Sequence, residues 1–182
     1  MSSLDPGQTA RRGLVQVLTG DGKGKTTSAL GSVIRALGHG WKVCIIFFMK
    51  SGYPSGELNI LSKLPHVTFA NFGSGELIDP NNIRPEDRKQ AQLALEAGQD
   101  AVLSGKFDLV VLDEVNLAVH WKLVKLEAVA KLIHDKPPHV ELILTGRNAD
   151  SRITGLADLV TECRSIKHPY DRGVKAREGI EY

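Results

Sequence analysis

Thr19-Gly20-Asp21-Gly22-Lys23-Gly24-Lys25-Thr26-Thr27 is the stretch on which the reading of this chain turns. Before it lies Gly13 to Leu18, an apolar run with the character of a buried strand. After it, Leu30, Val33, Ile34 and Leu37 recur at i, i+3, i+4 and i+7, the spacing of one helix face. A glycine-rich turn between a strand and a helix is the setting of a phosphate-binding loop, or P-loop. Its glycines let the backbone turn tightly and aim N–H groups inward at an anion. The helix starting near Lys25 adds the positive end of its dipole. Lys25 supplies a full charge, and the Thr26 hydroxyl is placed to ligate Mg²⁺. The usual pattern is G-x-x-x-x-G-K-[ST]; Thr19 stands at its first glycine, so a different local path is expected. A glycine-rich turn capping an ordinary helix is the competing reading. Strand, Gly24-Lys25-Thr26 triplet and helix agree against it. A dinucleotide fold is disfavoured, because the G-x-G-x-x-G spacing is missing.

Outward from the loop, apolar strands alternate with helical patterns. Gly38 and Gly40 stop the first helix. Val43 to Met49 reads as a second buried strand and Val67 to Ala70 as a weaker third. Pro85, Glu86 and Asp87 suit a first helical turn, and that helix runs to about Leu103. Phe107 to Leu112 is the clearest strand. Leu126, Val129, Ala130 and Ile133 mark another helix face, and Val140 to Leu144 and Leu159 to Cys163 are strands. Continuous apolar strands alternating with helices predict an α/β fold, a mostly parallel sheet with helices on both faces and right-handed crossovers. With the loop, the expectation is a P-loop nucleotide-binding, RecA-like fold. Ser51 to Pro85 is the irregular part, rich in Gly, Pro, Asn and Ser, and is expected to carry loops near the ligand.

Phe107-Asp108-Leu109-Val110-Val111-Leu112-Asp113-Glu114 is an apolar strand ending in two acids. A carboxylate there can hold Mg²⁺ directly or through water, completing a P-loop site. Neighbouring strand residues point to opposite faces, so only one of Asp113 and Glu114 is expected to touch the metal unless the strand has already ended. Thr145-Gly146-Arg147 lies at another carboxyl end, where open parallel sheets bind ligands. Arg147 is a candidate for phosphate or a substrate carboxamide, with a solvated surface arginine as the competing reading. Arg35 lies off the apolar face of its helix, where an exposed solubilising role competes.

The chain has 182 residues and a formal net charge of +2, with both signs mixed along it. That length fits one domain, and that charge argues for neither a nucleic-acid nor a membrane surface. No apolar run approaches the 18 residues of a membrane span, and the start lacks a secretory h-region, so a cytoplasmic protein is expected. Met1 to Arg12 reads as a flexible tail and 13–182 as a single domain. Cys44 and Cys163 form no CxxC pair; they read as buried thiols in a reducing compartment, without a structural zinc. No N-K-x-D guanine reader is evident, which favours ATP. Spacing alone gives no reaction: a small kinase and an ATP-switched binding protein both remain open.

The loop together with Ala29-Leu30-Gly31 and Arg35-Ala36-Leu37-Gly38-His39-Gly40 resembles the P-loop type ATP:cob(I)alamin (corrinoid) adenosyltransferases. So do Val110 to Glu114, Thr145-Gly146-Arg147, Lys167 to Asp171, Gly173 to Arg177, and Gly179-Ile180-Glu181-Tyr182. The resemblance covers nearly the whole chain after Arg12. It implies that Co(I) of a reduced corrinoid attacks the 5′ carbon of ATP and triphosphate leaves. ATP lies in a reversed sense along the loop in that family, which accounts for Thr19 in place of glycine. Carried over by position, Gly20, Asp21, Gly22, Lys23, Gly24, Lys25, Thr26 and Thr27 bind the triphosphate. Lys25 and Glu114 carry the catalytic roles. Thr26 and Glu114 hold Mg²⁺, with Asp113 beside them. Arg35 lies near the nucleotide, and Arg147 and His168 near the corrinoid; for His168 a capped surface histidine competes. The family also implies a homodimer and an electron-donating reductase. Some members carry Phe and Trp in the loop after the third strand, which displace the lower axial ligand of cobalt. Here Ala70 to Ile78 has no Trp, and Leu77 and Ile78 offer an apolar wall instead. The two tryptophans lie elsewhere: Trp41 reads as packing, and Trp121 with His120 as the lining of a pocket or subunit contact.

Overall fold

In the computed structural model, residues 11–52 and 55–182 are described. The tail expected over 1–12 therefore lies outside the description except at Arg11 and Arg12. Arg11 is anchored, forming an ion pair with Asp108 and stacking its guanidinium 4.1 Å from the centre of the Trp41 ring.

Six strands form one parallel sheet: β1 (Val15–Thr19), β2 (Val43–Phe47), β3 (Val67–Asn71), β4 (Leu109–Asp113), β5 (Glu141–Thr145) and β6 (Leu159–Glu162), in the order β3-β2-β4-β5-β1-β6. β2 and β4 are buried at every position, as their unbroken apolar sequences require when both faces are covered. Helices α1 (Lys25–Gly38) and α2 (Gly56–Leu61) cover one face. There Val33, Ala36 and Leu61 pack on Ile45, Phe47, Val111 and Ile143. Helices α3 (Pro85–Leu103), α4 (Val115–His120), α5 (Leu126–Asp135) and α6 (Ser151–Leu156) cover the other.

The buried stripe of α1 is Lys25, Ala29, Val33 and Ala36, with Leu30 and Leu37 at its margins, and Ile34 is 53% exposed. The stripe is thus turned by about one residue from the expected Leu30-Val33-Ile34-Leu37 face. Small alanines bring the helix close to the sheet and carry Lys25 inward with them. Ser51 to Pro85 holds the weak third strand expected at Val67 to Ala70 and, beyond expectation, the short helix α2. At its end, Pro85 opens α3 and the Asp87 carboxylate accepts the Arg84 backbone N–H at 3.0 Å. Cys44 is buried as expected, and burial pushes its thiol up to about 11. Cys163 is only half-buried, because it sits where edge strand β6 runs out.

Candidate active site

β5 lies between β1 and β4, so the loop and the acidic strand end stand two strand spacings apart, roughly 10 Å. Between them, at the carboxyl ends of the strands, is a cavity of about 370 Å³. Asp21 to Thr26 line one side of it, and Lys50, Glu114 and Arg147 stand among its other walls.

The loop is built against the exit of β6. The Gly22 N–H donates to Cys163 O at 2.7 Å. Gly20 has φ 94, and a Cβ there would meet Cys163 O at 2.4 Å, so only glycine fits. Thr19, at the pattern's first glycine, ends β1 in extended conformation and needs no glycine. Its Oγ1 accepts the Ala149 N–H at 3.1 Å, tying the loop to the segment after β5. Lys25 is buried; its ammonium donates to Gly20 O at 2.7 Å and Gly22 O at 2.8 Å, holding the loop closed around itself. A third donor is left for a ligand.

Asp113 and Glu114 part company at the end of β4. Asp113 is 1% exposed; its Oδ1 accepts the Thr145 hydroxyl at 2.7 Å, and Lys50 Nζ lies 2.8 Å from Oδ2. Oδ1 is thus hydrogen-bonded, whereas Oδ2 is ion-paired with Lys50 without a hydrogen bond. Glu114 takes a left-handed conformation, φ 67, as the residue preceding α4. The strand has ended, so the turn sends its side chain into the cavity rather than to the opposite face. Its Oε2 is buried with no hydrogen-bond partner. Burial, then the Asp113 charge, pushes its pKa up, while Lys50, Lys25 and Arg147 pull it back. An orphaned carboxylate oxygen in the same cavity as the Thr26 hydroxyl fits a hard cation that keeps most of its ligands as water and phosphate.

The remaining expectations divide. Arg147 and His168 line the cavity, and His168 Nδ1 also accepts the Tyr170 N–H at 3.2 Å, so it caps the turn Pro169–Arg172 as well. Lys23 lines the cavity too, but its ammonium donates to Ile180 O and Glu181 Oε1, both at 2.8 Å. Gly20 and Thr27 flank the cavity rather than line it, and Thr27 faces solvent. Arg35 is not brought to the site; it lines a second cavity with His39, Trp41 and Glu141. His120 borders a third, and Trp121 packs against the core. Phe72 and Ile78 also pack against the core, whereas Leu77 is 86% exposed. Sequence reasoning missed Lys50, Glu57 and Glu181 as cavity residues. Lys50 had a readable signal, a lone cation just past a buried apolar strand.

A phosphate loop on the first strand of a parallel sheet, an acid at the end of β4 and an interposed strand define a P-loop protein of the RecA-like kind. The model of the ATP:corrinoid adenosyltransferase BtuR/CobO/CobP family matches residues 11–182. The chain is 40% identical over 172 residues to the corrinoid adenosyltransferase CobA of Salmonella typhimurium, covering 94% of this chain and 86% of that protein. It is 39% identical over 172 residues to the corrinoid adenosyltransferase of Escherichia coli K12, with the same coverage. To that of Pseudomonas aeruginosa it is 35% identical over 172 residues, 94% of this chain and 84% of the other. The chain belongs to the ATP:corrinoid adenosyltransferase family.

Proposed function

We propose that this protein transfers the 5′-deoxyadenosyl group of ATP to the cobalt of a reduced corrinoid, with inorganic triphosphate as the other product. The observation that carries the proposal is the cavity itself, where Lys25, Thr26 and the unpartnered Glu114 oxygen share one space at the strand ends. Co(I) gives an electron pair to the 5′ carbon. The C5′–O bond breaks with its electrons on the triphosphate, and cobalt ends as Co(III). Co(I) is already a strong nucleophile, so the protein's task is to position ATP and to stabilise the charge growing on the leaving group.

Loop N–H groups and Lys25 do the electrostatic part. Thr26 and Glu114 would hold Mg²⁺, which when bound supplies further positive charge to the phosphates. Asp113, hydrogen-bonded to Thr145, ion-paired with Lys50 and not part of the cavity lining, orients those two residues instead of binding the metal. Arg147 and His168 face the same space and serve the corrinoid side. The protein works as a homodimer served by an electron-donating reductase, in the cytoplasm, on cobalamin, cobinamide or a cobyrinic acid diamide. A small kinase would need a base beside an acceptor hydroxyl, and an ATP switch would not depend on corrinoid.

Anaerobic incubation with ATP, Mg²⁺ and chemically reduced cobalamin tests this. A light-sensitive cobalt–carbon product is expected; an unchanged corrinoid spectrum overturns the proposal.

A further inference from the structure

We propose that Lys50 is a third cation of the triphosphate site, reaching the ligand from the wall opposite the loop. This rests on the function proposed above. Lys50 follows β2, on the far side of β4 from the loop, and lines the same cavity as Lys23, Lys25 and Glu114.

The cavity's cations differ in how far they are already committed. Lys23 gives its ammonium to Ile180 O and Glu181. Lys25 gives two of three protons to loop carbonyls. The one ion-pair partner of Lys50 among the described residues is Asp113 Oδ2, at 2.8 Å but off the line of a hydrogen bond. Its ammonium lies 5.1 Å from the centre of the Phe47 ring, and its side chain is 28% exposed. It is a compact charge held by one ion pair and by no hydrogen bond to the described residues, with donors to spare for a polyanion.

The backbone points the same way. Among the described residues, five besides glycine have positive φ, and three of them lie just past strand ends: Glu114 (φ 67), which lines this cavity, and Met49 (φ 57) and Asn148 (φ 54), the chain neighbours of the lining residues Lys50 and Arg147. Strained conformations persist where surrounding structure forces them, and they gather at ligand sites. The Met49 turn delivers Lys50 as the Glu114 turn delivers its carboxylate.

The rival role is a mere counterion for buried Asp113. Lys50→Met removes the charge in both cases, but only ligand binding separates them. Titration with inorganic triphosphate in the presence of Mg²⁺ is expected to show at least tenfold weaker binding for Lys50→Met than for the unaltered protein. kcat/KM for ATP should fall at least as far, with the KM for corrinoid unchanged, and Lys50→Arg should restore most of the affinity. A lowered unfolding temperature with unchanged triphosphate affinity overturns the inference and leaves Lys50 as a counterion. Should Lys50→Met fail to fold, Lys50→Gln keeps a donor for Asp113 without the charge and carries the same expectation. An unaltered protein that binds no triphosphate would overturn the site reading as well; normal binding lost in neither variant overturns this inference alone.

Discussion

Lys25 shows how much one side chain can do in a P-loop. It is the first residue of α1, buried by the turn of that helix, and it closes the loop by bonding Gly20 and Gly22 carbonyls. Lys25→Ala is expected to cost at least about 100-fold in kcat/KM for ATP, the scale of losing one preorganised charge at a developing anion. The circular-dichroism spectrum should stay native, because the core of α1 is made by Ala29, Val33 and Ala36. Loss of fold in place of loss of turnover would make the lysine structural. Glu114 is a second case. Its pair with Asp113 was legible in the sequence as two acids ending a strand. Which one faces the cavity was not legible from side-chain alternation, because it follows from a left-handed turn at Glu114; the family resemblance alone pointed to Glu114. The same holds for Thr145, whose hydroxyl donates to Asp113 Oδ1 and accepts the Glu114 N–H at 2.9 Å, fixing both acids from the neighbouring strand.

At the scale of elements, the sheet was readable because buried parallel strands are written as unbroken apolar runs, α1 and α5 because they show a period, and α3 because Pro85, Glu86 and Asp87 mark its first turn. The short helices α2, α4 and α6 span six residues each, under two turns, and leave no periodic trace. Helix α3 has an anchor with a measurable consequence. The Arg84 guanidinium bonds Asp87 through Nη2 at 2.9 Å and Nε at 3.1 Å, and also engages Ser74 and Glu76, pinning the segment after β3 to the start of the helix. That grip draws the Asp87 carboxyl from 3.8 down to about 2. A lowered carboxylate pKa stabilises the fold above its ordinary value and is lost as pH falls toward about 2. Asp87→Asn should therefore cost about 1–2 kcal/mol at pH 7, allowing for screening at the part-exposed Arg84, and much less near pH 2. Urea unfolding at the two pH values checks this; an equal cost at both would place the effect in packing.

On the scale of the whole molecule, the segment from His168 to Tyr182 returns to the first loop. Glu181 is held by Arg177 through two side-chain bonds of 3.1 Å and by Lys23 at 2.8 Å. The Arg177 and Lys23 bonds hold its carboxyl well below the usual range, so at neutral pH an anion stands in the cavity proposed for triphosphate. Glu181→Gln is expected to tighten inorganic triphosphate several-fold by removing that charge and releasing Lys23. Weaker binding in the same titration would instead make the C-terminal carboxylate a wall of the site. None of this return was legible in the sequence, since contacts 157 and 158 residues apart leave no local pattern. What was legible was the family resemblance of the ending itself.

In the proposed reaction the loop from Thr19 to Thr27 holds an intact triphosphate as a leaving group. Phosphorus NMR of an anaerobic reaction, with the corrinoid product quantified in parallel, tests it most directly. One inorganic triphosphate released per cobalt–carbon bond formed, with no ADP, is the expected result. ADP and phosphate in its place would contradict the account.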